Sequence, residues 1–205
     1  FCAGEDMKQI LLSAKLASLE LRERAKKTGG LTPAADALLH TYIPVIGAIN
    51  GPAVGWGMGL ALMADIRVAS ERAKSGALFV MRGLCCDAPC LVRLSQLVGR
   101  KTTAKLLFTG DMIVAHQAKT MVLVGRRVPH EDLLSAAMQV SHEIARNPPL
   151  AMRALKARLR RTTNPQWRDA GRWAIEQITR LRGAEDSEEG VAAFLEKRER
   201  VYEGR

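Results

Sequence analysis

The sequence predicts an α/β fold, and three observations support this prediction. Apolar runs of strand length alternate with helical patterns, and short turns separate them. A glycine-rich stretch, residues 49–60, lies between two apolar runs and is typical of a strand that turns into a helix. From Leu133 onward the pattern becomes wholly helical. We therefore expect a core over residues 1–132 and a C-terminal helical region over residues 133–205.

The elements of the core follow from local signals in chain order. Apolar residues recur at helical spacing from Lys8 to about Lys26, which predicts an amphipathic helix. A glycine and proline cluster at residues 27–33 ends that helix. We then expect, in this order, a short helix at Ala34–Tyr42, a strand at Val45–Asn50, the glycine-rich turn, a buried helix ending near Asp65 and a strand at Ile66–Ala69.

Capping signals divide the helical region. Asn147 is a good N-cap and Pro148 a good first helical residue, so we expect a helix to begin there. A last helix is predicted from its charges, since acidic residues at its start and basic residues at its end suit the helix dipole. The acidic residues are Glu185, Asp186, Glu188 and Glu189, and the basic ones are Lys197, Arg198 and Arg200.

Composition excludes several classes of protein. Hydrophobic residues make up 47% of the chain and charged residues 25%, as in soluble globular proteins. No apolar run approaches the roughly 20 residues that span a bilayer, and no secretory signal opens the chain. We therefore expect a cytoplasmic protein that has no membrane partner.

The net charge of +10 raises the alternative of a nucleic-acid binder. Much of the excess lies in residues 153–161. With nine aromatic residues in the chain and no recognised binding motif, however, the sequence offers no stacking platform to accompany the charge. A solvated helix face, or attraction for a phosphate-rich ligand, explains the charge more simply, and we expect no nucleic-acid partner.

Cysteine and histidine spacing does not predict a metal site. Cys85 and Cys86 are adjacent, and neither they nor Cys2 and Cys90 have a histidine at ligand spacing. We read these residues as buried free thiols. No metal and no separate cofactor are expected.

The glycine-rich turn suits a negative charge. The first turn of a helix leaves backbone N–H groups without partners and carries the positive end of the helix dipole. Such a turn can therefore hold an anion or a developing oxyanion. The signal is weak by itself, because phosphate loops use the same physics; neither a GxGxxG nor a GxxxxGK[ST] motif is present.

Further motifs, in order along the whole chain, make the signal specific. They are Phe1–Lys8, the turn itself, Asp65–Ala69, Leu97–Arg100, Leu107–Gly110, Asn147–Ala151 and Gly190–Arg198. With this order and spacing the chain resembles the crotonase superfamily, the enoyl-CoA hydratase/isomerase group.

The resemblance implies a crotonase-type ββα spiral core and a C-terminal helical region that supports homotrimers, often paired into hexamers. Family members have further strands and a helix before the motif that opens this chain, so we expect the N-terminal part of the spiral to be missing. The family binds acyl-CoA thioesters, and coenzyme A is part of the substrate. Two backbone N–H groups hold the thioester oxygen; carried over by position, they belong to Glu5 and Trp56.

Other contacts carried over by resemblance belong to the bound substrate. Lys8 matches a lysine near the nucleotide end of CoA, while Phe194 and Lys197 match residues that reach CoA, sometimes across a subunit boundary. The alternative for these three residues is ordinary packing at a helix surface. The full set of expected substrate-binding residues is Ala3, Lys8, Gly55, Phe79, Phe194 and Lys197.

Both glutamates that hydratases of the family use to activate water are absent. By position, the first falls on Gly59 and the second on Phe79. General acid–base catalysis contributes on the order of 10²–10⁴ in rate, so their loss disfavours simple hydration. Placing glutamate at both positions should raise hydration, provided that the pocket admits a water.

Asp87 is the candidate catalytic residue, because several isomerases and a dehalogenase of the superfamily place a catalytic aspartate there. A single carboxylate can take a proton α or γ to a thioester carbonyl and return it elsewhere, which moves a double bond without water. Phe79 nearby would keep the site dry. The alternative is that Asp87 is only the N-cap of the following helix.

Three residues depart from the family pattern. Trp56 replaces a common glycine and would be strained if its φ were positive, while Ser75 replaces a common aromatic residue. Val122 replaces a usual glycine. Together with the missing glutamates, these departures leave two functions open: an acyl-CoA enzyme that favours isomerisation over hydration, or a non-catalytic acyl-CoA-binding paralogue.

Overall fold

A computed structural model describes residues 1–6, 23, 27, 31–163 and 167–205. Its strands are β1 (Ile46–Ile49), β2 (Pro52–Val54), β3 (Ile66–Ser70), β4 (Lys74–Gly76), β5 (Ile113–Val114) and β6 (Arg126–Val128). Its α-helices are α1 (Pro33–His40), α2 (Trp56–Met63), α3 (Ala88–Thr109), α4 (Ala115–Thr120), α5 (Leu133–Ala145), α6 (Pro149–Thr163), α7 (Trp167–Leu181) and α8 (Glu185–Glu196), and a 3₁₀ turn covers Leu78–Arg82.

Two small sheets organise the core. In the first, β1 pairs with β3 and β3 with β6, all parallel. In the second, β4 lies between β2, to which it is parallel, and β5, to which it is antiparallel. Cys2 forms a further bridge to Ala53, so the start of the chain lies beside β2. Residues 50–51 therefore connect the two sheets, and β2 lies inside the stretch that the sequence predicted as a turn.

Apolar side chains fill the space between the sheets and α2 and α3. Ile49, Met58, Leu62, Leu94 and Ile113 are almost fully buried. A separate cluster forms where α5 packs on Val68 and Val128. The long helix α3 is interrupted at Gly99, whose φ of 73° lies in the left-handed region that glycine adopts readily. Burial of α2 and the start of α3 in one core holds the two helices next to each other.

Within the described residues, the predicted helices and strands of the core from Ala34 to Ala69 are confirmed, with small shifts at their ends. The helix predicted to run to Tyr42 ends at His40, and the buried helix ends at Met63, two residues before Asp65. The helix predicted from Lys8 to about Lys26 lies, apart from Glu23, outside the described residues. None of the helices in the described part of the chain is long and apolar enough to cross a bilayer.

The predicted start of α6 is wrong by one residue. The helix begins at Pro149, and Asn147 belongs to the end of α5 instead. Its backbone N–H donates to the Ile144 carbonyl and its side-chain amide donates to the Glu143 carbonyl. The side chain is therefore engaged in closing the preceding helix.

The prediction of cations at the end of the last helix also needs correction. Lys197 is the C-cap, with a φ of 57°, and Arg198 follows it. Rather than facing the carbonyls of its own last turn, Arg198 turns back to the carboxylates of Glu189 and Glu196. Direct ion pairs with two nearby carboxylates win over the weaker attraction of the dipole.

Candidate active site

The glycine-rich turn has the geometry of a helix start. Gly55 is the N-cap of α2, and its φ of 54° requires a residue that tolerates positive φ. Its carbonyl accepts hydrogen bonds from the N–H groups of Met58 and Gly59. Trp56 is the first helical residue and its φ is not positive, so the strain considered for this residue does not arise.

The opening segment places the two predicted amide donors at one corner. The Cys2 N–H donates to the Pro52 carbonyl at 2.9 Å, which aligns the segment with β2. A Cβ added to Gly4, next to Glu5, would lie 3.8 Å from the Trp56 nitrogen. Among the described residues, neither the Glu5 nor the Trp56 amide donates a backbone hydrogen bond outside helices and strands. Both groups are thus available to an acceptor.

These amides belong to residues that line a narrow pocket with about 50 Å³ of free space. Phe79 and Asp87 line the same pocket, so the structure brings together four of the residues predicted from the sequence. The opposite wall comes from one face of α7, with Ala174, Ile175, Ile178 and then Arg182 beyond its end. The helical region therefore completes the pocket, although sequence patterns gave α7 no role in it.

Asp87 caps a helix and lines the pocket at the same time. It is the N-cap of α3, and its Oδ1 accepts a hydrogen bond of 2.9 Å from the Cys90 N–H. The N-cap role is therefore observed, and the catalytic role of Asp87 stays a prediction. The cap bond restrains the orientation of the carboxylate, and such restraint favours catalysis by a group that must face a bound substrate.

Gly59 lies directly against the Asp87 carboxylate. A Cβ added to Gly59 would lie 2.5 Å from Oδ2 and 3.0 Å from Oδ1, and real Cβ atoms essentially never approach other heavy atoms below 3.0 Å. The expectation that glutamates at Gly59 and Phe79 would raise hydration stays a prediction, with a steric constraint at position 59. A side chain at position 59 requires that Asp87 first be moved or replaced.

The environment of the cysteines beside Asp87 favours the protonated thiol, which is a poor nucleophile. Burial raises the pKa of the Cys85 thiol to about 11, and the nearby Asp87 carboxylate adds to this effect. The pKa values of Cys86 and Cys90 are also raised by burial. All three thiols stay protonated at neutral pH. As to metal ions, the described residues contain no cluster of three or more His, Cys, Asp or Glu that could hold one.

Comparison with known proteins identifies the family of this chain. The family profile for enoyl-CoA hydratase/isomerase matches residues 1–205. The chain belongs to this family.

Relatives within the enoyl-CoA hydratase/isomerase family share about a third of their residues with the chain. The 2,3-dehydroadipyl-CoA hydratase of Escherichia coli is 34% identical over 92% of this chain and 76% of its own length. The putative enoyl-CoA hydratase/isomerase YngF of Bacillus subtilis is 34% identical over 100% of this chain and 76% of its own.

Solved structures of the same family confirm the crotonase fold. EchA1_1 of Mycobacterium paratuberculosis superimposes with a TM-score of 0.81 at 32% identity, covering 100% of this chain and 77% of that one. Carnitinyl-CoA hydratase of Mycobacterium avium gives a TM-score of 0.80, also at 32% identity, over 100% of this chain and 77% of its own.

Other residues predicted from the family pattern lie away from the pocket. Phe194 is on α8, half exposed, with the Arg82 guanidinium 4.1 Å from its ring centre. Lys197 caps the same helix. Ala3 is exposed in the opening segment, two residues before Glu5, and Lys8 lies outside the described residues. Contact of Phe194 and Lys197 with CoA stays a prediction.

Arg182 is a pocket residue that sequence reasoning missed. Its Nη2 donates to the Glu5 carboxylate at 3.1 Å, which ties the end of α7 to the opening segment. In the sequence it is one of several arginines in a basic stretch, with no pattern to distinguish it. The only available signal was its position after an amphipathic helix.

Proposed function

We propose that the protein binds an enoyl-CoA thioester in this pocket and moves its double bond, with Asp87 as the single proton-transfer group. The observation that carries the proposal is the shared pocket. Asp87, whose carboxylate is oriented by the cap, and the residues of the two predicted amide donors, Glu5 and Trp56, line one space whose remaining walls are largely apolar. The family membership supplies acyl-CoA thioesters as the substrate class.

The reaction needs only these groups. With a 3-enoyl-CoA, the Asp87 carboxylate takes a proton from C2, so that a C–H bond breaks and an O–H bond forms. The electron pair spreads over C2, C4 and the thioester oxygen, and the Glu5 and Trp56 amides stabilise the negative oxygen. The neutral carboxylic acid then returns the proton to C4, which yields the 2-enoyl-CoA.

Hydration fits the pocket less well. It requires a water, a group that activates the water and a group that protonates the α carbon. Both family glutamate positions are occupied by residues that cannot do this, Gly59 and Phe79. The Phe79 ring lines the pocket where that second carboxylate would be. The missing side chains and the apolar wall both favour isomerisation.

Asp87→Asn tests the proposal, because the amide keeps the shape and the cap but cannot act as a base. We expect kcat for 3-enoyl-CoA to fall by about 10²–10⁴ while KM changes little. Asp132→Asn is a matched control, since Asp132 is an exposed N-cap whose side chain makes no cap bond. Full activity of Asp87→Asn would exclude the mechanism.

The second candidate is a non-catalytic acyl-CoA-binding paralogue. It is favoured by the cap bond from Asp87, which gives this residue a structural role even without catalysis. Measurement of acyl-CoA binding by calorimetry beside turnover separates the two. Binding without turnover of either 2-enoyl-CoA or 3-enoyl-CoA by the wild type would favour the paralogue.

We also propose a homotrimer or hexamer assembled through the helical region. Large apolar side chains are exposed on its outer surface, including Leu134 on α5 and Leu150 and Leu159 on α6. Contiguous exposed apolar patches mark association surfaces, and we propose that these side chains form one. Light scattering on the protein should give a trimer or a dimer of trimers, and a monodisperse monomer would contradict the proposal.

A further inference from the structure

Gly59 breaks a local rule of its helix. It lies inside α2, where glycine costs about 1 kcal/mol relative to alanine. Its φ is not among the positive values recorded for the chain, so the backbone itself does not require glycine here. The reason for glycine must lie in what surrounds it.

The Asp87 carboxylate occupies the place of the missing side chain. Both carboxylate oxygens lie within 3.0 Å of an ideal Cβ at position 59. The carboxylate cannot retreat at no cost, because Oδ1 holds the Cys90 N–H and the start of α3 is buried through Ala88, Pro89 and Cys90. The close packing of α2 on α3 brings these two residues together.

We infer that Gly59 is a positioning residue for Asp87. Because Gly59 has no side chain, the Asp87 carboxylate at the start of α3 can pack against α2 while Asp87 lines the pocket. A side chain at position 59 and the Asp87 carboxylate in its present position then exclude each other, because the Cβ of that side chain would lie 2.5 Å from Oδ2. This inference rests on the proposed function for its kinetic consequences, but the steric relation is independent of it.

Gly59→Ala is the direct test. The added methyl group displaces the carboxylate, and a misplacement of about 1 Å can cost on the order of 10²-fold in rate. We expect kcat for 3-enoyl-CoA to fall about 10²-fold with little change in KM, while the thermal midpoint is maintained because alanine favours the helix. The control is Gly125→Ala, whose Cβ would meet a neighbour at an ordinary 3.5 Å.

A double-mutant cycle separates positioning from general damage. If Gly59 acts through Asp87, adding Gly59→Ala to Asp87→Asn should lower kcat by less than threefold beyond Asp87→Asn alone. Independent effects would instead multiply. Multiplication of the two losses would overturn the inference.

Exchanging the carboxylate between helices gives a second test. Gly59→Glu/Asp87→Ser places a carboxylate on α2, and serine retains an N-cap for α3. We expect at least a tenfold higher kcat than in Asp87→Ser alone. A Gly59→Glu variant that keeps full activity with Asp87 in place would show that the two side chains fit together, and would overturn the inference.

Hydrogen exchange tests the inference even if the wild type turns over no enoyl-CoA. Displacing the carboxylate should weaken the bond from the Cys90 N–H, so Gly59→Ala should speed exchange of that amide by tenfold or more, and Gly125→Ala should not. Unchanged Cys90 exchange in Gly59→Ala would refute positioning. Loss of turnover in the wild type alone would refute only the proposed function.

Discussion

Gly59 and Val122 both oppose the preference of their backbone, in opposite directions. Gly59 is a glycine inside a helix, where a side chain is favoured, and Val122 is a valine at a positive φ, where glycine is favoured. At Gly59 the helical backbone would accept a side chain, but a neighbouring carboxylate excludes it. At Val122 the backbone has a φ of 61°, where a β-branched residue is strained, yet the side chain is 69% exposed. The neighbouring carboxylate explains the glycine at position 59, and nothing in the structure explains the valine at position 122.

The comparison of Gly59 with Val122 indicates that a locally unfavourable residue can coincide with a functional position. A residue that opposes its local preference is expected where the surroundings give a compensating gain. Gly59 has that gain, because it makes room for the carboxylate that caps α3 and lines the pocket. Val122 follows α4 in an exposed turn away from the pocket, and its backbone strain lowers stability without a compensating contact.

The largest effect on stability is expected two residues before Gly59. At Gly57 an added Cβ would lie 2.0 Å from the Cys2 carbonyl oxygen and 2.7 Å from its carbon. Unlike a carboxylate, this paired backbone cannot turn aside, so Gly57→Ala should lower the free energy of unfolding by about 3 kcal/mol. Urea unfolding measures the loss, and Gly59→Ala in the same helix is the comparison. Equal stability of the two variants would contradict the distinction.

At Val122 we expect a substitution to raise the free energy of unfolding. Val122→Gly should raise the free energy of unfolding by about 1 kcal/mol, because a non-glycine residue in the left-handed region costs about that amount. The melting temperature should rise by about 3 °C. Val114→Gly is the control, since Val114 is also exposed but has an extended backbone. If both variants were destabilised alike, Val122 would not be strained.

The cap made by Asp87 should contribute a similar amount to stability. Asp87→Ala removes the acceptor of the Cys90 N–H and should cost about 1 kcal/mol, while Asp87→Ser should cost less because serine also caps. Thermal unfolding of the two variants measures the difference. Indistinguishable melting temperatures would mean that the bond orients the carboxylate without stabilising α3.

The smallest effect concerns a carboxylate outside both regions. Hydrogen bonds from Arg198 lower the pKa of Glu189 to about 2, below its value of 4.5 in an unfolded chain. This pair therefore stabilises the fold above pH 4.5, and the contribution disappears as the pH falls toward 2. The stability difference between wild type and Glu189→Gln should shrink over that range. A stability difference that stays constant over that range would contradict the prediction.

Local signals predicted much of the core. The apolar run around Ile49 and the glycines of the turn each depend on residues close in sequence, and β1 and α2 appear where expected. The N-cap at Asp87 was one of two alternatives for that residue, and it is observed. Shifts at Asn147 and Tyr42 are errors of helix ends, where competing hydrogen bonds decide the boundary. Resemblance to the family supplied the topology, which periodicity does not contain.

The pocket itself depended on contacts between distant segments. The sequence by itself determined that Gly59 carries no side chain and that Asp87 can begin a helix, and the resemblance to the family added that Val122 replaces a usual glycine. Only the tertiary structure decided that Asp87 fills the space above Gly59 and that Arg182 reaches Glu5. Capping is set by neighbours along the chain, whereas the volume left by a missing side chain is filled by whichever segment packs against it.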